Sequence, residues 1–308
     1  MTKIFIDGSA GTTGLRIYER LEKRSDLALI RLPEETRKDP AARREALFAS
    51  DIAFLCLPDA AAIEAVALAE GSKTKIIDTS TAHRCAPGWV YGFPELDGRR
   101  DAIAASFRIA NPGCHASGFI ALVAPLIRAG LLAADTELSC FSLTGYSGGG
   151  KSMIADYENP ARSALLGAPR QYGLTQQHKH LREMQALTGI TAAPLFCPVV
   201  GDFYAGMEVT VPLAASKLRG GADDIRALYR ETYSTGLVHY SEDDGEGAFL
   251  SAGAFAGRDD MEVRVAGNDE RILLIARYDN LGKGASGSAI QNMNILLGCD
   301  ETTGLVVG

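Results

Sequence analysis

The sequence predicts an α/β protein of two domains, a parallel-sheet domain first and then a second α/β domain built on a mixed or antiparallel sheet. Three observations carry this. Short apolar strands alternate with helical segments through the first third of the chain. A glycine-rich turn joins the first strand to the first helix. Beyond residue 114 the strand-like runs lengthen, and the connections between them become long and polar.

Taken in order, residues 3–7 read as a strand and residues 8–14 as the glycine-rich turn. A helix over 13–24 follows, with Leu15, Tyr18 and Leu21 on one face. Residues 27–32 form a second apolar strand, and 40–49 an Ala- and Arg-rich helix. Residues 51–57 are an apolar strand stopped by Pro58. An Ala-rich helix over 60–70 and a short strand over 75–78 complete the alternation. A helix over about 116–129 ends at Gly130. Strands are then expected over 137–144, 192–200, 207–213 and 271–278, with irregular stretches at 146–177 and 241–260. The chain closes with a glycine-rich loop and a helix over 286–297.

Composition excludes several classes of function. The 308 residues are 46% hydrophobic and 22% charged, as in soluble globular proteins. The net charge of −7 argues against a nucleic-acid or anionic-membrane partner. No run approaches the roughly 20 apolar residues of a membrane span. The start, Met1-Thr2-Lys3-Ile4-Phe5-Ile6-Asp7, lacks a signal-peptide layout, so the cytoplasm is the expected compartment. Six cysteines are scattered without a Cys-x-x-Cys pair, so neither a metal site nor a disulfide framework is expected.

Five segments carry chemistry. Gly8-Ser9-Ala10-Gly11-Thr12-Thr13-Gly14 follows a strand and opens a helix, a variant of the Rossmann dinucleotide fingerprint. Glycines allow a tight turn, and the helix start offers N–H groups to a pyrophosphate. The second strand ends at basic Arg31 rather than an acidic residue. NADP is therefore expected over NAD, with Arg31, Arg37 or Lys38 as partners of the 2′-phosphate. Asn111-Pro112-Gly113-Cys114 puts a cysteine at a helix start, where the dipole favours the thiolate and N–H groups can receive an oxyanion. His178-Lys179-His180-Leu181-Arg182-Glu183 supplies histidines for acid–base work, with Glu183 one turn after His180 to orient it. Ser147-Gly148-Gly149-Gly150-Lys151 could bind a phosphate or carboxylate through Lys151 and main-chain amides. Asn280-Leu281-Gly282-Lys283-Gly284 could close over a nicotinamide ring.

In this order and spacing, these segments resemble N-acetyl-γ-glutamyl-phosphate reductase, most nearly its shorter form. Asp78-Thr79-Ser80 with His83-Arg84, and Tyr91-Gly92-Phe93-Pro94-Glu95-Leu96, are further markers, and the resemblance runs over nearly the whole chain. It implies a semialdehyde dehydrogenase-like fold. Residues 1–113 plus 281–308 would bind NADP, and residues 114–280 would form the catalytic and dimerisation domain. It implies that Cys114 attacks an acyl phosphate, expels phosphate and forms a thioester, which hydride from NADPH reduces to N-acetylglutamate semialdehyde. His180 would be the acid–base residue, with His178 as rival and His115 ranked below both. The cofactor would lie on Gly8, Gly11, Thr12, Thr13, Gly14, Ser80, Asn280, Lys283 and Gly284. The acyl-phosphate substrate would meet Asn111, Ser147, Gly148, Lys151 and His178. No metal is expected, and the resemblance suggests a homodimer or homotetramer. An aspartate-semialdehyde dehydrogenase-like enzyme and a non-catalytic NADP-binding sensor are the competing readings.

Overall fold

A computed structural model of the chain describes residues 1–242 and 246–308. Two compact units emerge, Met1–Pro112 with Ala285–Leu305, and Gly113–Gly284 with Val306–Gly308.

The first unit contains β1 (Thr2–Asp7), α1 (Thr12–Leu21), β2 (Leu27–Ile30), α2 (Pro40–Ala49), β3 (Ile52–Leu55), α3 (Asp59–Leu68), β4 (Lys75–Asp78), β5 (Val90–Tyr91), α4 (Arg99–Ala105) and β6 (Arg108–Ala110). It also takes the C-terminal helix Gly287–Leu297. Its six strands are all parallel, in the order β2-β1-β3-β4-β6-β5. A parallel sheet is covered on both faces, so its strands read as continuous apolar runs, and every residue of β3 is buried. Ile4, Phe54, Ile77 and Ile109 pack on one face with Ile17 and Met293. Phe5, Ala53, Leu55 and Ile76 pack on the other with Leu47 and Ala65. Asp39 caps α2 by accepting from Ala41 N and Ala42 N, and Pro40 takes the first turn, where its missing N–H is no loss.

One detail of α1 departs from the expected face. Gly14, Ile17 and Leu21 are the buried set, while Leu15 is 45% exposed and Tyr18 is half-buried. Ile17 packs into the core, and Leu15 and Tyr18 instead line a cleft beside the glycine-rich turn.

The second unit contains α5 (Cys114–Arg128), β7 (Ser139–Gly145), α6 (Gly150–Glu158), β8 (Arg170–Gln171), α7 (His180–Thr188), β9 (Leu195–Gly201), β10 (Met207–Ala214), α8 (Ala222–Thr232), β11 (Val238–Tyr240), β12 (Met261–Gly267) and β13 (Arg271–Tyr278). Its seven-stranded sheet is mixed, in the order β11-β12-β13-β10-β7-β9-β8, with β11/β12 and β7/β9 parallel and the remaining pairs antiparallel. Helix α5 is apolar nearly all round and lies on this sheet with α7 and α8 beside it. The hydroxyls of Tyr229 and Tyr233 donate to its Leu122 and Ala121 carbonyls. Alternate side chains point to the opposite face, where Phe141, Leu195, Pro212 and Leu273 stay exposed.

The stretch 146–177, read as irregular, contains α6 and the short strand β8. No side chain caps α6, and it begins at a glycine, so local sequence gives little warning of it. Part of the stretch 241–260 (243–245) lies outside the described residues.

Candidate active site

Cys114 is the first residue of α5. Gly113 before it is extended and offers no side-chain cap, so the first-turn N–H groups keep their positive end for a ligand or oxyanion. Two residues distant in sequence, Glu183 and Tyr278, fix this turn. Gly113 N donates to Glu183 Oε2 at 3.1 Å. The Tyr278 hydroxyl donates to the Cys114 carbonyl at 2.6 Å and accepts from Gly118 N at 3.0 Å. Gly118 leaves room for that ring, because a Cβ there would sit 2.7 Å from the Tyr278 oxygen. A Cβ at Gly284 would stand 3.1 Å from the Cys114 Cβ, so that glycine lets the loop after β13 approach the thiol closely.

The histidines gather at the same helix start. Sγ of Cys114 and one ring nitrogen each of His115 and His180 lie within 4.8 Å of one another. His180 is the first residue of α7, buried, with Nε2 3.8 Å from Glu183 Oε1. Glu183 therefore serves both partners, through one oxygen to Gly113 N and the other toward the imidazole. The His178 ring stands nearly perpendicular to that of His180 at 4.7 Å, and its Nδ1 accepts from His180 N at 3.3 Å.

His115 has a different character. Its Nδ1 meets Ser142 Oγ at 2.6 Å and its Nε2 meets the Tyr172 hydroxyl at 2.6 Å. Burial, and then the charge of His178, push its pKa down to about 3, so it is neutral at physiological pH. The Cys114–His115–His180 trio has the donor types of a soft-metal site, but His115 could join one only by breaking a hydrogen bond.

The other expected residues divide. Ser147 is buried, and its Oγ accepts from Asn280 Nδ2 at 3.0 Å, while Asn280 Oδ1 accepts from Gly206 N at 2.9 Å. The Asn280 side chain thus braces the turn that carries Ser147 and Gly148. Lys151 is exposed on the second residue of α6, whereas Lys283 is fully buried. Asn111 is buried in the first unit, where Nδ2 donates to Ala285 O at 2.9 Å and Oδ1 accepts from Asn292 Nδ2 at 3.3 Å. Ser80 is held by Asp78, whose Oδ2 also accepts from His83 Nδ1 at 2.6 Å. Sequence reading did not single out Tyr172, Ser142 or Tyr278. Tyr278 had a weak signal, standing directly before the Asn280 loop. Tyr172 and Ser142 had none.

The first unit offers a cradle for a dinucleotide. Gly8 has φ +86°, and a Cβ there would overlap the Cys56 carbonyl oxygen; a Cβ at Gly14 would overlap the Gly8 carbonyl oxygen. No side chain caps α1. Beside this turn lies a cleft of about 480 Å³, walled by Leu15, Tyr18 and Leu29 and rimmed by Arg31, Arg37 and Lys38. Beneath it Asp7 is buried against Arg43, whose Nε donates to Oδ2 at 3.0 Å; burial raises the Asp7 pKa against the pull of that guanidinium. These features fit a nicotinamide dinucleotide, with pyrophosphate on the helix start and an apolar slot for its adenosine.

Comparison with known proteins agrees. Residues 3–106 match the semialdehyde dehydrogenase NAD-binding domain, and residues 114–280 match the semialdehyde dehydrogenase dimerisation domain. N-acetyl-γ-glutamyl-phosphate reductase 2 of Pseudomonas putida is 44% identical over 310 residues, covering 98% of each chain. The Brucella ovis N-acetyl-γ-glutamyl-phosphate reductase is 47% identical over 306 residues, covering 96% of this chain and 99% of its own. The chain belongs to the N-acetyl-γ-glutamyl-phosphate reductase family. Members of this reductase family use a nicotinamide cofactor, and the cradle around Gly8–Gly14 is the matching part of this chain. The fold extends further than the reductases. Aspartate semialdehyde dehydrogenase II of Vibrio cholerae, solved with ASA, superposes with a TM-score of 0.72 over 96% of this chain and 98% of its own, at 19% identity. The Francisella tularensis aspartate semialdehyde dehydrogenase gives 0.71 over 96% and 100%, at 14% identity. Among the described residues, no helix of this reductase-family chain is long and apolar enough to cross a membrane.

Proposed function

We propose that this chain reduces N-acetyl-γ-glutamyl phosphate to N-acetylglutamate 5-semialdehyde with release of phosphate, as a step of arginine biosynthesis, with NADPH as reductant. The observation that carries the reading is the meeting of Cys114 Sγ with His180 within 4.8 Å at a helix start, in a chain 44–47% identical to reductases of that name.

Cys114 attacks the acyl carbon as a thiolate, favoured by the positive end of α5. The C–S bond forms, the C–O bond to phosphate breaks, and phosphate leaves with the electron pair. The N–H groups of the first turn of α5 face the oxyanion of the tetrahedral intermediate. NADPH, when bound, supplies the hydride that reduces the thioester. His180 accepts the thiol proton at the outset and returns a proton as the hemithioacetal collapses, with Glu183 holding the imidazole. His180 is preferred over His115, whose pKa burial holds low and whose ring nitrogens are both hydrogen-bonded, and over His178, which already accepts a main-chain N–H at Nδ1. Substrate phosphate and carboxylate are assigned to Asn111, Ser147, Gly148, Lys151 and His178. The cofactor is assigned to Gly8, Gly11, Thr12, Thr13, Gly14, Ser80, Asn280, Lys283 and Gly284.

The exposed apolar face at Phe141, Leu195 and Leu273 supports a homodimer or homotetramer. The cytoplasm is the proposed compartment, in keeping with an amino-acid biosynthetic step.

The decisive assay runs the reaction backwards, with phosphate and NADP. N-acetylglutamate semialdehyde should turn over, and aspartate semialdehyde should be at least about a hundredfold poorer in kcat/KM. Preference for aspartate semialdehyde would overturn the substrate assignment. Full turnover by Cys114→Ser would overturn the mechanism, and NADPH binding without turnover of any acyl phosphate would leave a sensor.

A further inference from the structure

The chain Ser142–His115–Tyr172 has no part in the proton transfers above, yet it abuts the thiol. Ser142 lies on β7, His115 follows the nucleophile on α5, and Tyr172 follows β8. Both imidazole nitrogens are bonded at 2.6 Å, and one of them lies within 4.8 Å of Cys114 Sγ. The Tyr172 main chain is fixed by donation of its N–H to Pro198 O at 3.0 Å. Phe196 closes the side of the imidazole at 5.3 Å between ring centres.

We infer that His115 and Tyr172 are positioning residues for the Cys114 thiol, with His115 acting as a neutral two-sided link that orients the phenolic hydroxyl rather than as a base. The inference rests on the thiol chemistry proposed above. Its physical content is the absence of a second charge. A protonated His115 would compete with His180 for the one proton in the cluster, and it would stabilise the thiolate so strongly that its nucleophilicity fell. Oriented neutral dipoles in a buried wall favour the thiolate less and leave it reactive. Burial keeps His115 unprotonated, and burial together with the nearby Cys114 charge keeps the Tyr172 phenol protonated. Among the described residues, the other titratable groups beside this cluster include His178, His180 and Glu183 from the α7 segment and Tyr278 from β13.

The test uses the full-length protein and two readouts. The first is the pH dependence of Cys114 alkylation by iodoacetamide without substrate, against a Cys114→Ser blank. The second is turnover, with melting temperature as the folding control. Tyr172→Phe and His115→Leu should move the alkylation midpoint up by about half a pH unit or more, and lower kcat about tenfold with KM little changed. His115→Gln is neutral and keeps one donor and one acceptor, so it should restore the midpoint and most of the turnover. If His115→Gln were as inactive as His115→Leu, His115 would be a proton carrier and the inference wrong. Unchanged alkylation profiles in folded Tyr172→Phe and His115→Leu would equally overturn it, leaving a packing role alone. Failure of the unmodified protein to turn over the acyl phosphate would sink the reaction proposed above, while the alkylation comparison would still decide this point.

Discussion

Glu183 Oε2 accepts a hydrogen bond from Gly113 N at 3.1 Å, so the residue that orients His180 also fixes the peptide leading into Cys114. One carboxylate thus spans the two residues proposed as base and nucleophile. Glu183→Gln keeps an acceptor for Gly113 N and loses the charge beside His180, whereas Glu183→Ala loses both. Glu183→Gln should lower kcat about tenfold and shift the acidic limb of the pH–rate profile downward, because His180 gives up a partner for its cation. Glu183→Ala should lower kcat further and reduce stability by about 1–3 kcal/mol, since a buried N–H loses its acceptor. Kinetics of Glu183→Gln equal to those of the unmodified protein would show that the charge is irrelevant, and equal kinetics for the two variants would show the same of the acceptor for Gly113 N.

Acid should weaken the fold through His115. Its folded-state pKa of about 3 lies below the ordinary 6.5, so below pH 6.5 the unfolded chain takes up a proton that the native chain refuses. The corresponding stability is present above pH 6.5 and is lost as pH falls toward 3, at up to about 1.4 kcal/mol per pH unit from this one group. Denaturant titrations at pH 7, 6 and 5 should show a shallower fall in His115→Gln than in the unmodified protein. Parallel curves would count against a buried neutral imidazole.

The dinucleotide cradle has no space for a methyl group at Gly8. With φ +86° and the Cys56 carbonyl in the way, Gly8→Ala should lose about 2 kcal/mol or more of stability and weaken NADPH binding at least tenfold, read by NADPH fluorescence. Gly11→Ala meets nothing closer than 3.4 Å and serves as the milder control.

Coenzyme choice is expected to reside at the rim of the 480 Å³ cleft, where Arg31, Arg37 and Lys38 stand. Arg31 lies over the Tyr18 ring at 4.2 Å and Arg37 is paired with exposed Glu34 at 2.9 Å. Replacing Arg37 and Lys38 together by Ala should raise the KM for NADPH about tenfold and leave that for NADH within about twofold. A uniform change for both coenzymes would remove these residues from 2′-phosphate recognition.

Much of the fold was legible because its signals are local. The wholly apolar β3, the Pro40 start of α2 and the glycine turn after β1 each declare themselves within a few residues. Cys114 was legible for the same reason, at a helix start after Asn-Pro-Gly. The site beyond it depends on contacts across long stretches of chain. Tyr278 reaches Cys114 over 164 residues, and Tyr172 reaches His115 over 57. No spacing rule reports such pairs, because the sheet and helices fix them only after packing. The low pKa of His115 was equally hidden, since adjacency to Cys114 says nothing about burial.

The fit of Gly118 beneath the Tyr278 hydroxyl constrains how this lineage can vary. A side chain at 118 would strike the ring, and a smaller residue at 278 would leave Gly118 N and the Cys114 carbonyl without the hydroxyl that joins them. Each step alone should therefore be costly, and the two positions are expected to change together. In a randomised library selected for arginine prototrophy, survivors with a residue other than glycine at 118 should carry a compensating change at 278.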